Sequence, residues 1–327
     1  MNVFYDDLKA EFKRVLLKLA FPEDRAELIA GTFAANSRDG VYSHGMNRFP
    51  TFVQHVKDGV VEVNAEPEVL DKNGLVEHWD GKLAPGIYNA TRAMSRAIEL
   101  AKVNGMGAVS LRNTNHWMRG GTYGWQAAEA GCIGICFTNT IANMPPWGGR
   151  EPRLGNNPLV IALPRTGGHI VLDMAMSQFS YGKLQDTELK GKELPVPGGY
   201  SETGELTTDP AAIRKSQRAL PIGFWKGSGL SFMLDVLMTA MSGGKSVAEI
   251  TRSGVEAGVS QFFLCFYQAE FNASLIEQII DYTKTSELAQ EGDRILYPGE
   301  NTFATRQKNL RDGIPVNEEI WEKIRQM

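Results

Sequence analysis

The chain has 327 residues, a length that suggests one large domain or two unequal ones. Its formal net charge of −4 and its scattered lysines and arginines give no electrostatic case for binding nucleic acid or an anionic membrane. Its three cysteines cannot all pair within the chain, and no apolar run reaches the about 18 residues of a membrane span. We therefore predict a cytoplasmic protein without a membrane segment.

The first part of the chain shows helical periodicity. Apolar residues from Phe4 to Leu19 recur at helical spacing and predict a helix over residues 3–20. Pro22 suits the first turn of a second helix, and a third carries Phe49 and Phe52. We therefore expect the segment SHGMNR, residues 43–48, to lie at a junction between a loop and a helix.

Strand patterns begin near residue 67, where EVLDKNGLVEHWDG predicts a hairpin around Asn73-Gly74. A helical pattern follows, and then four apolar runs predict strands: GMGAVSLRN, GCIGICFTNT, PLVIALP and HIVLDMA. Strands interleaved with helices indicate an α/β domain with a covered sheet. Helical spacing returns near residue 228 and continues to the C-terminus. We therefore predict an α/β domain over residues 71–227 and a helical domain from residues 1–70 and 228–327.

Four polar segments fall in predicted loops, at residues 43–48, 112–124, 139–158 and 221–229. Long loops inside compact domains are uncommon unless they serve a function. Two of these segments place a histidine, His44 or His116, among small residues, amides and an arginine. That composition suits a polar anion beside a group that transfers a proton near neutral pH. From the residues alone, each histidine could equally be a polar residue of a turn.

The other three histidines lack such surroundings. We interpret His55 as a solvated residue flanking the apolar face of its helix, and His78 as structural. His169 precedes a predicted strand and is expected to present mainly its backbone. No HExxH motif and no Cys/His cluster occurs, so we predict no metal site.

The usual nucleotide motifs are also absent, since no G-x-G-x-x-G follows a strand and no Walker A sequence occurs. Gly227 and Gly229 nevertheless open a predicted helix just after Lys226. Free backbone N–H groups, the helix dipole and a lysine would together suit a phosphate. A flexible loop before a core helix explains the same residues, and the sequence leaves both interpretations open.

Several long segments carry a resemblance to a known family: SRDGVYSHGMNRFP, RNTNHWMRGGTYGWQAAE, VLDMAMSQFSYGKL and LPIGFWKGSGLSFMLD. They resemble the NAD(P)-dependent malate, L-lactate, L-sulfolactate and ureidoglycolate dehydrogenases, and the similarity extends over the whole chain. The resemblance implies a non-Rossmann α/β fold with a mixed sheet, and a homodimer. It also implies reduction of the C2 carbonyl of a 2-oxo sugar acid with NADH, with NADP as the alternative cofactor.

The resemblance further assigns roles to individual residues. It implies that His44 donates the proton, with His116 as the second acid/base candidate of the same pocket. It implies that Ser43 hydrogen-bonds the substrate and that Arg48 pairs with the substrate carboxylate, whose geometry matches a guanidinium. The implied cofactor-binding residues are His169, Ile170, Val171, Leu172, Asp173, Met174, Ala175, Trp225, Lys226, Gly299, Glu300 and Asn301.

Three rival functions remain open. The first is another oxidoreductase of this family, acting on malate, lactate or ureidoglycolate. The second is a catalytically silent binding protein that retains the fold. The third is a metal-dependent lyase or hydrolase that uses both His44 and His116.

Overall fold

The computed structural model describes residues 1–268, 270 and 272–327. Its strands are β1 (Asn2–Val3), β2 (Glu68–Asn73), β3 (Val76–Asp80), β4 (Met106–Asn115), β5 (Cys132–Thr138), β6 (Leu159–Leu163), β7 (Ile170–Met174), β8 (Gly199–Tyr200), β9 (Leu206–Thr207), β10 (Ala257–Tyr267) and β11 (Ile314–Pro315). Its α-helices are α1 (Tyr5–Lys18), α2 (Glu23–Arg38), α3 (Phe49–Lys57), α4 (Gly86–Asn104), α5 (Gly121–Glu129), α6 (Tyr181–Leu189), α7 (Pro210–Ser216), α8 (Trp225–Ser242), α9 (Val247–Arg252), α10 (Ala273–Lys284), α11 (Glu300–Asp312) and α12 (Glu318–Arg325). Two short 3-10 turns, Tyr42–His44 and Met46–Arg48, lie between α2 and α3.

A seven-stranded sheet forms the centre of the fold, in the order β2-β3-β4-β10-β5-β6-β7. Strands β3 and β4 run parallel, and the other neighbouring pairs of this sheet are antiparallel. The mixed sheet confirms the expected α/β class. It differs from a Rossmann domain, in which a mostly parallel sheet carries the dinucleotide at the ends of its strands.

Both faces of this sheet are covered. On one face, α4 and α5 pack over β4, β5 and β10, with Met94, Trp125 and Phe263 among the buried side chains. On the other face, α8 contributes Leu234 and Met238 to a cluster with Phe262. Successive side chains of a strand point to opposite faces, so Phe262 and Phe263 of β10 enter different clusters.

Residues 257–267 correct one expectation from the sequence. They lie within the range 228–327 that we predicted to be helical, yet they form β10 at the middle of the sheet. A strand buried on both faces has a continuous apolar run and lacks the alternation by which strands are recognised. Strand β2 also begins at Glu68, before the predicted boundary at residue 71. The division into two domains remains a prediction, and its helical part does not include β10.

The helices near the two chain ends share a separate core. Helices α1, α2, α3 and α12 bury Phe12, Phe33, Phe49 and Trp321 together. The rings of Phe12 and Phe49 lie 4.3 Å apart between centroids, and those of Phe33 and Phe49 lie 5.1 Å apart. The helices predicted for the first part of the chain are thus confirmed. Within the described residues, no helix is both long and apolar enough to span a bilayer.

One buried carboxylate joins these helices to the sheet. Asp39, at the end of α2, accepts hydrogen bonds from Arg119 Nη1 at 2.9 Å and from Arg306 Nε and Nη2 at 2.8 and 2.7 Å. Burial alone would raise the pKa of Asp39, but the hydrogen bonds from Arg306 and the charge of Arg119 hold it below its ordinary value. Arg119 precedes α5 and Arg306 belongs to α11, so three separate parts of the chain meet at this carboxylate.

We expect Asp39→Asn to lower the free energy of unfolding by roughly 3–5 kcal/mol, because it leaves buried arginine charge without its counter-ion. Urea unfolding measures this loss. Asp58→Asn is the matched control, because Asp58 forms an exposed hydrogen bond with Gln54. A loss for Asp39→Asn no larger than that of the control would contradict the assignment.

Candidate active site

The turn that carries His44 is fixed against α2. The amide of Asn36 donates to the carbonyl oxygen of His44 at 3.0 Å, and the Met46 N–H donates to Ser37 Oγ at 2.8 Å. A side chain at Gly45 would collide with Ser37 Oγ and would place its Cβ 2.8 Å from the Ser37 nitrogen. The glycine of the Ser-His-Gly sequence is therefore required for this close approach.

The loop that carries His116 follows the end of β4. The side-chain amide of Asn115 donates to the Leu83 carbonyl at 2.6 Å, which anchors the loop to the start of α4. A Cβ at Gly86 would collide with the carbonyl oxygens of Asn115 and His116, so this helix also needs glycine at its first residue. Met118 has a φ of 67°, a strained value for a side chain of its size. The structure therefore holds the His116 loop from several directions.

The two histidine rings face each other, with centroids 5.8 Å apart and planes 12° from parallel. Nδ1 of His116 accepts a hydrogen bond from the Met118 N–H at 3.0 Å. A neutral His116 therefore carries its proton on Nε2, and a second proton on Nδ1 would break that bond. Nδ1 of His44 lies 3.1 Å from Ser43 Oγ, which can donate or accept. Of the two rings, His44 can therefore hold a second proton without losing a hydrogen bond.

Burial, together with neighbouring charges, lowers the pKa of both rings and keeps them neutral near neutral pH. Burial lowers the pKa of His44 to about 3, the neighbouring His116, Arg48 and Arg119 act in the same direction, and Asp173 opposes them. Burial also lowers the pKa of His116 to about 3, with further contributions from Arg48 and His55. Arg48 thus acts on both rings, which places the three predicted site residues in one electrostatic environment.

Arg48 is half-buried, and no carboxylate that the structure describes forms an ion pair with it. Arg48 is the last residue of the 3-10 turn Met46–Arg48. This turn begins directly after the Ser-His-Gly sequence and leads into α3. A partly buried guanidinium without an anionic partner is a site for an anion, and a carboxylate fits its planar fork. Ser43, in contrast, already uses its hydroxyl on His44.

Sequence reasoning missed two residues of this environment. His55, which we interpreted as a solvated or flanking residue, is half-buried, and burial followed by the charge of Arg48 lowers its pKa. Glu256 also lies within the influence of Arg48 and His55. The spacing of His55 from Arg48, two turns along the same helical segment, could have indicated the first. No nearby sequence pattern could have indicated Glu256, because it precedes β10, a strand that the sequence did not predict.

The predicted cofactor residues lie along one path that passes close to His44. The Val171 N–H of β7 donates to the Pro298 carbonyl at 2.9 Å, which brings Gly299 beside the strand. Past the end of β7, the Ile222 N–H donates to the Met176 carbonyl at 2.8 Å, shortly before Trp225. Between these points, Asp173 Oδ2 lies 3.5 Å from Arg119 Nε, and its charge acts on His44. The role of these residues stays a prediction.

These residues suit a dinucleotide chemically. Strand β7 is an edge of the sheet, so its outer side carries backbone groups that no further strand pairs, although Pro298 already accepts from the Val171 N–H. Trp225 is 65% exposed and offers a flat aromatic surface, and the next residue, Lys226, is an exposed cation. The side chain of Glu300 is already engaged, because it accepts from Lys284 Nζ at 2.6 Å and from the Tyr297 N–H at 3.2 Å.

One part of the phosphate-site interpretation is wrong. Helix α8 begins at Trp225, and the N–H groups of Lys226, Gly227 and Ser228 donate to carbonyls of residues 222–224. These groups are therefore not free to bind a phosphate. The lysine and the helix dipole remain as the attractive features of this end of α8.

Across residues 1–268, 270 and 272–327, no three His, Cys, Asp or Glu side chains converge in a way that could hold a metal ion. His169, expected to present mainly its backbone, also uses its ring: Nδ1 accepts from the Arg165 N–H at 3.1 Å. The ring packs against Trp125, with centroids 5.4 Å apart.

Comparison with known proteins places this geometry in context. Residues 3–325 match the family model described as malate/L-lactate dehydrogenase. The chain is 46% identical over 330 aligned positions to a 2,3-diketo-L-gulonate reductase of Escherichia coli (strain SMS-3-5), covering 99% of both chains. Its fold is similar to that of malate dehydrogenase from Entamoeba histolytica, with a TM-score of 0.92, 26% identity, and coverage of 100% of this chain and 96% of that one. It is also similar to sulfolactate dehydrogenase from Methanocaldococcus jannaschii, with a TM-score of 0.88, 29% identity, and coverage of 99% and 95%.

The lowered pKa values predict how stability changes with pH. The unfolded chain binds protons on these histidines below about pH 6.5, while the folded protein does not until about pH 3. Stability is therefore complete above about pH 6.5 and falls as the pH decreases, by about 1.4 kcal/mol per pH unit for each histidine.

We expect the fall in unfolding free energy between about pH 7 and about pH 5.5 to be about 1 kcal/mol smaller in His44→Asn than in the wild type. Urea unfolding at the two pH values measures it. Asn47→Ala, at an exposed and non-titrating position of the same segment, is the control. An equal fall in His44→Asn and the wild type would mean that folding does not lower the pKa of His44.

Proposed function

The chain belongs to the malate/L-lactate dehydrogenase family, and from that premise we propose that it reduces the C2 carbonyl of 2,3-diketo-L-gulonate, giving 3-dehydro-L-gulonate, with NADH. The family makes it an oxidoreductase that acts on a CH–OH or carbonyl group. The full-length similarity to 2,3-diketo-L-gulonate reductase supports the sugar-acid substrate. The alternative is a malate-, lactate- or ureidoglycolate-type dehydrogenase of the same family.

The observation that carries the proposal is the arrangement of Arg48 with His44 and His116. An unpaired, half-buried guanidinium acts on two facing imidazoles, one of which can gain a second proton. A 2-oxo acid has a carboxylate next to a carbonyl. It therefore offers the carboxylate to Arg48 and the carbonyl to the two histidines. A substrate without a carboxylate would leave the Arg48 charge buried without a partner.

The residues then perform the proton chemistry as follows. Burial is the main cause of the lowered pKa of His44, and the charges of His116 and Arg48 add to it. A carboxylate on Arg48 neutralises one of these charges and so favours the doubly protonated ring. Its Nδ1–H donates to Ser43 Oγ, and its Nε2–H is available to the carbonyl oxygen as negative charge develops there. His116, held neutral by the Met118 N–H, donates a hydrogen bond from Nε2 and keeps its proton.

Residues 169–175, Trp225, Lys226 and residues 299–301 would hold the nicotinamide cofactor. When bound, it supplies the hydride that the carbonyl carbon accepts. NADH is proposed over NADPH from the resemblance.

The proposal is tested by measuring NADH and NADPH oxidation with 2,3-diketo-L-gulonate, oxaloacetate, pyruvate and sulfopyruvate. We expect the largest kcat/KM with NADH and 2,3-diketo-L-gulonate. A larger value for oxaloacetate, pyruvate or sulfopyruvate would replace the proposed substrate. Absence of nicotinamide binding in a fluorescence titration would favour a catalytically silent protein, and activity that a chelator abolishes would favour a metal-dependent enzyme.

We expect His44→Ala to lower kcat by about 10²–10⁴-fold, because it removes the general acid. The dissociation constant for NADH should not change, and fluorescence titration measures it separately. His116→Asn is the comparison, because the smaller loss expected there reflects a hydrogen bond and not a proton. Near wild-type turnover in His44→Ala would exclude this residue as the donor.

We expect Arg48→Lys to raise KM for the 2-oxo acid with a smaller change in kcat, since lysine keeps the charge but cannot make the bidentate contact. Steady-state kinetics with the substrate varied at saturating NADH measures both constants. The KM for NADH in the same variant is the control. An unchanged KM for the 2-oxo acid would remove Arg48 from the carboxylate site.

A homodimer is the proposed assembly, and helix α8 supports it. The face of α8 against the sheet is partly formed by Gly227, Ser228 and Ser231, which are small. The outer face is apolar and exposed, at Leu230, Phe232, Met233, Val236 and Leu237. A continuous apolar face on a protein surface marks an interaction site, and the family resemblance makes a second copy the proposed partner.

We expect Phe232→Glu, at a side chain 57% exposed, to convert the dimer into monomers, because a charge would be buried at the interface. Sedimentation velocity measures the species present. Tyr282→Glu on α10, at an even more exposed aromatic position, is the matched control. A wild-type protein that sediments as a monomer, or an unaltered dimer in Phe232→Glu, would rule out this face.

A further inference from the structure

Glu256 lies at the end of the β4–β10 ladder where the His116 loop begins. The last pair of this antiparallel ladder is Asn115 with Ala257, so His116 and Glu256 are the first residues beyond it, one on each chain segment. The Ala257 N–H donates to the Val255 carbonyl at 2.9 Å, which turns the chain at Glu256. The amide of Gln261 donates to the Asn115 carbonyl at 3.0 Å and helps to fix this end of the ladder. Glu256 therefore has a defined position near the start of the His116 loop.

One oxygen of the Glu256 carboxyl group is held by the polar loop that begins at residue 139. Oε1 accepts a hydrogen bond from the Ile141 N–H at 3.2 Å. The residues on either side of Ile141 are themselves fixed: the Thr140 N–H donates to Asn157 Oδ1 at 3.1 Å, and the Ala142 N–H donates to Thr251 Oγ1 at 2.9 Å. Within the described residues, Oε2 receives no hydrogen bond. The group is thus oriented by one oxygen and has the other available.

The charges around Glu256 are those of the proposed substrate site. Burial raises its pKa, while the charge of Arg48, the Ile141 N–H and His55 act in the opposite direction. Arg48 and Glu256 nevertheless form no ion pair with each other. A cation and a carboxylate thus lie within each other's electrostatic influence without forming an ion pair, and a ligand with an anionic end and a hydrogen-bond-donating end suits both.

We propose that Glu256 determines which 2-oxo acids the enzyme accepts: its carboxylate receives hydrogen bonds from hydroxyl groups on the carbon chain beyond the reacting carbonyl, and it disfavours a second anionic group there. This inference rests on the proposed function, because it takes Arg48 as the site of the first carboxylate. It adds the residue that selects the neutral, hydroxylated chain of the proposed substrate.

The preference follows from the hydrogen-bonding capacity of each group. A hydroxyl donates to a carboxylate in a charge-assisted bond, which is stronger than a neutral one. A second carboxylate or a sulfonate has no proton to donate, so it must lie beside the charge of Glu256 or drive its protonation. Either process reduces the binding free energy of a dicarboxylic substrate.

Three variants separate the two parts of the inference. Glu256→Gln keeps an oxygen for the Ile141 N–H and removes the charge. Glu256→Asp keeps the charge and shortens the side chain. Glu319→Gln, an exposed position on α12, is the matched control. For each protein, kcat/KM is measured with 2,3-diketo-L-gulonate and with oxaloacetate, and thermal unfolding reports whether the variant is folded.

We expect Glu256→Gln to lower the ratio of kcat/KM for 2,3-diketo-L-gulonate to that for oxaloacetate by about 10-fold or more, through a loss on the first and a gain on the second. Glu256→Asp should lose activity on 2,3-diketo-L-gulonate without gaining activity on oxaloacetate. An unchanged ratio in Glu256→Gln, or an equal loss on both substrates, would overturn the inference.

Failure of the proposed function gives a different result. If the wild type prefers oxaloacetate, the proposed substrate is wrong, whatever the variants do. The Glu256 inference then fails as well if Glu256→Gln does not increase kcat/KM for oxaloacetate, and it survives as exclusion of anionic chains if that value rises.

Discussion

The Asp39 carboxylate, paired with two arginines from distant parts of the chain, is the constraint on which the candidate site depends. Asp39 ends the helix that precedes the His44 turn, and Arg119 follows the His116 loop. Arg306 belongs to the helix that begins beside Gly299. One buried ionic cluster therefore sets the positions of both histidines and of one predicted cofactor segment.

The two histidines differ in their hydrogen bonds more than in their surroundings. Burial lowers the pKa of each to about 3, so charge alone does not distinguish them. The distinction comes from Nδ1: a backbone N–H occupies that atom in His116, whereas a hydroxyl faces it in His44. A hydroxyl can reverse its role and a backbone N–H cannot. The assignment of the proton donor thus depends on one serine and on the strained backbone at Met118.

Much of the fold could be predicted from the sequence, because periodicity is a local property. The helices around Phe12 and Phe33, the hairpin at Asn73-Gly74 and the strands on either side of the 139–158 loop follow from spacing alone. Strand β10 could not be predicted from alternation, because its side chains are buried on both faces of the sheet. The sequence also left open whether the N–H groups at Gly227 are free, and the structure shows that they are not, because the preceding turn supplies acceptors that spacing does not indicate.

The site was predictable only where its residues are close in the sequence. Ser43, His44 and Arg48 lie within one segment, and the residues around His116 form another. Glu256 comes near the start of the His116 loop only through the pairing of β4 with β10, and Asp39 meets Arg119 and Arg306 only through the fold. Such contacts between distant residues have no local signature. These contacts between distant residues also give chemically similar side chains different roles in the site.

The central claim is that His44, and not His116, carries the transferable proton, and nitrogen NMR of the ¹⁵N-histidine-labelled protein tests it most directly. Spectra would be compared for the protein alone and for its complex with the 2-oxo acid and oxidised nicotinamide, which cannot react. The account predicts that one histidine changes from the neutral to the doubly protonated form on binding, and that this signal is missing in His44→Asn. A doubly protonated signal that persists in His44→Asn and disappears in His116→Asn would contradict it.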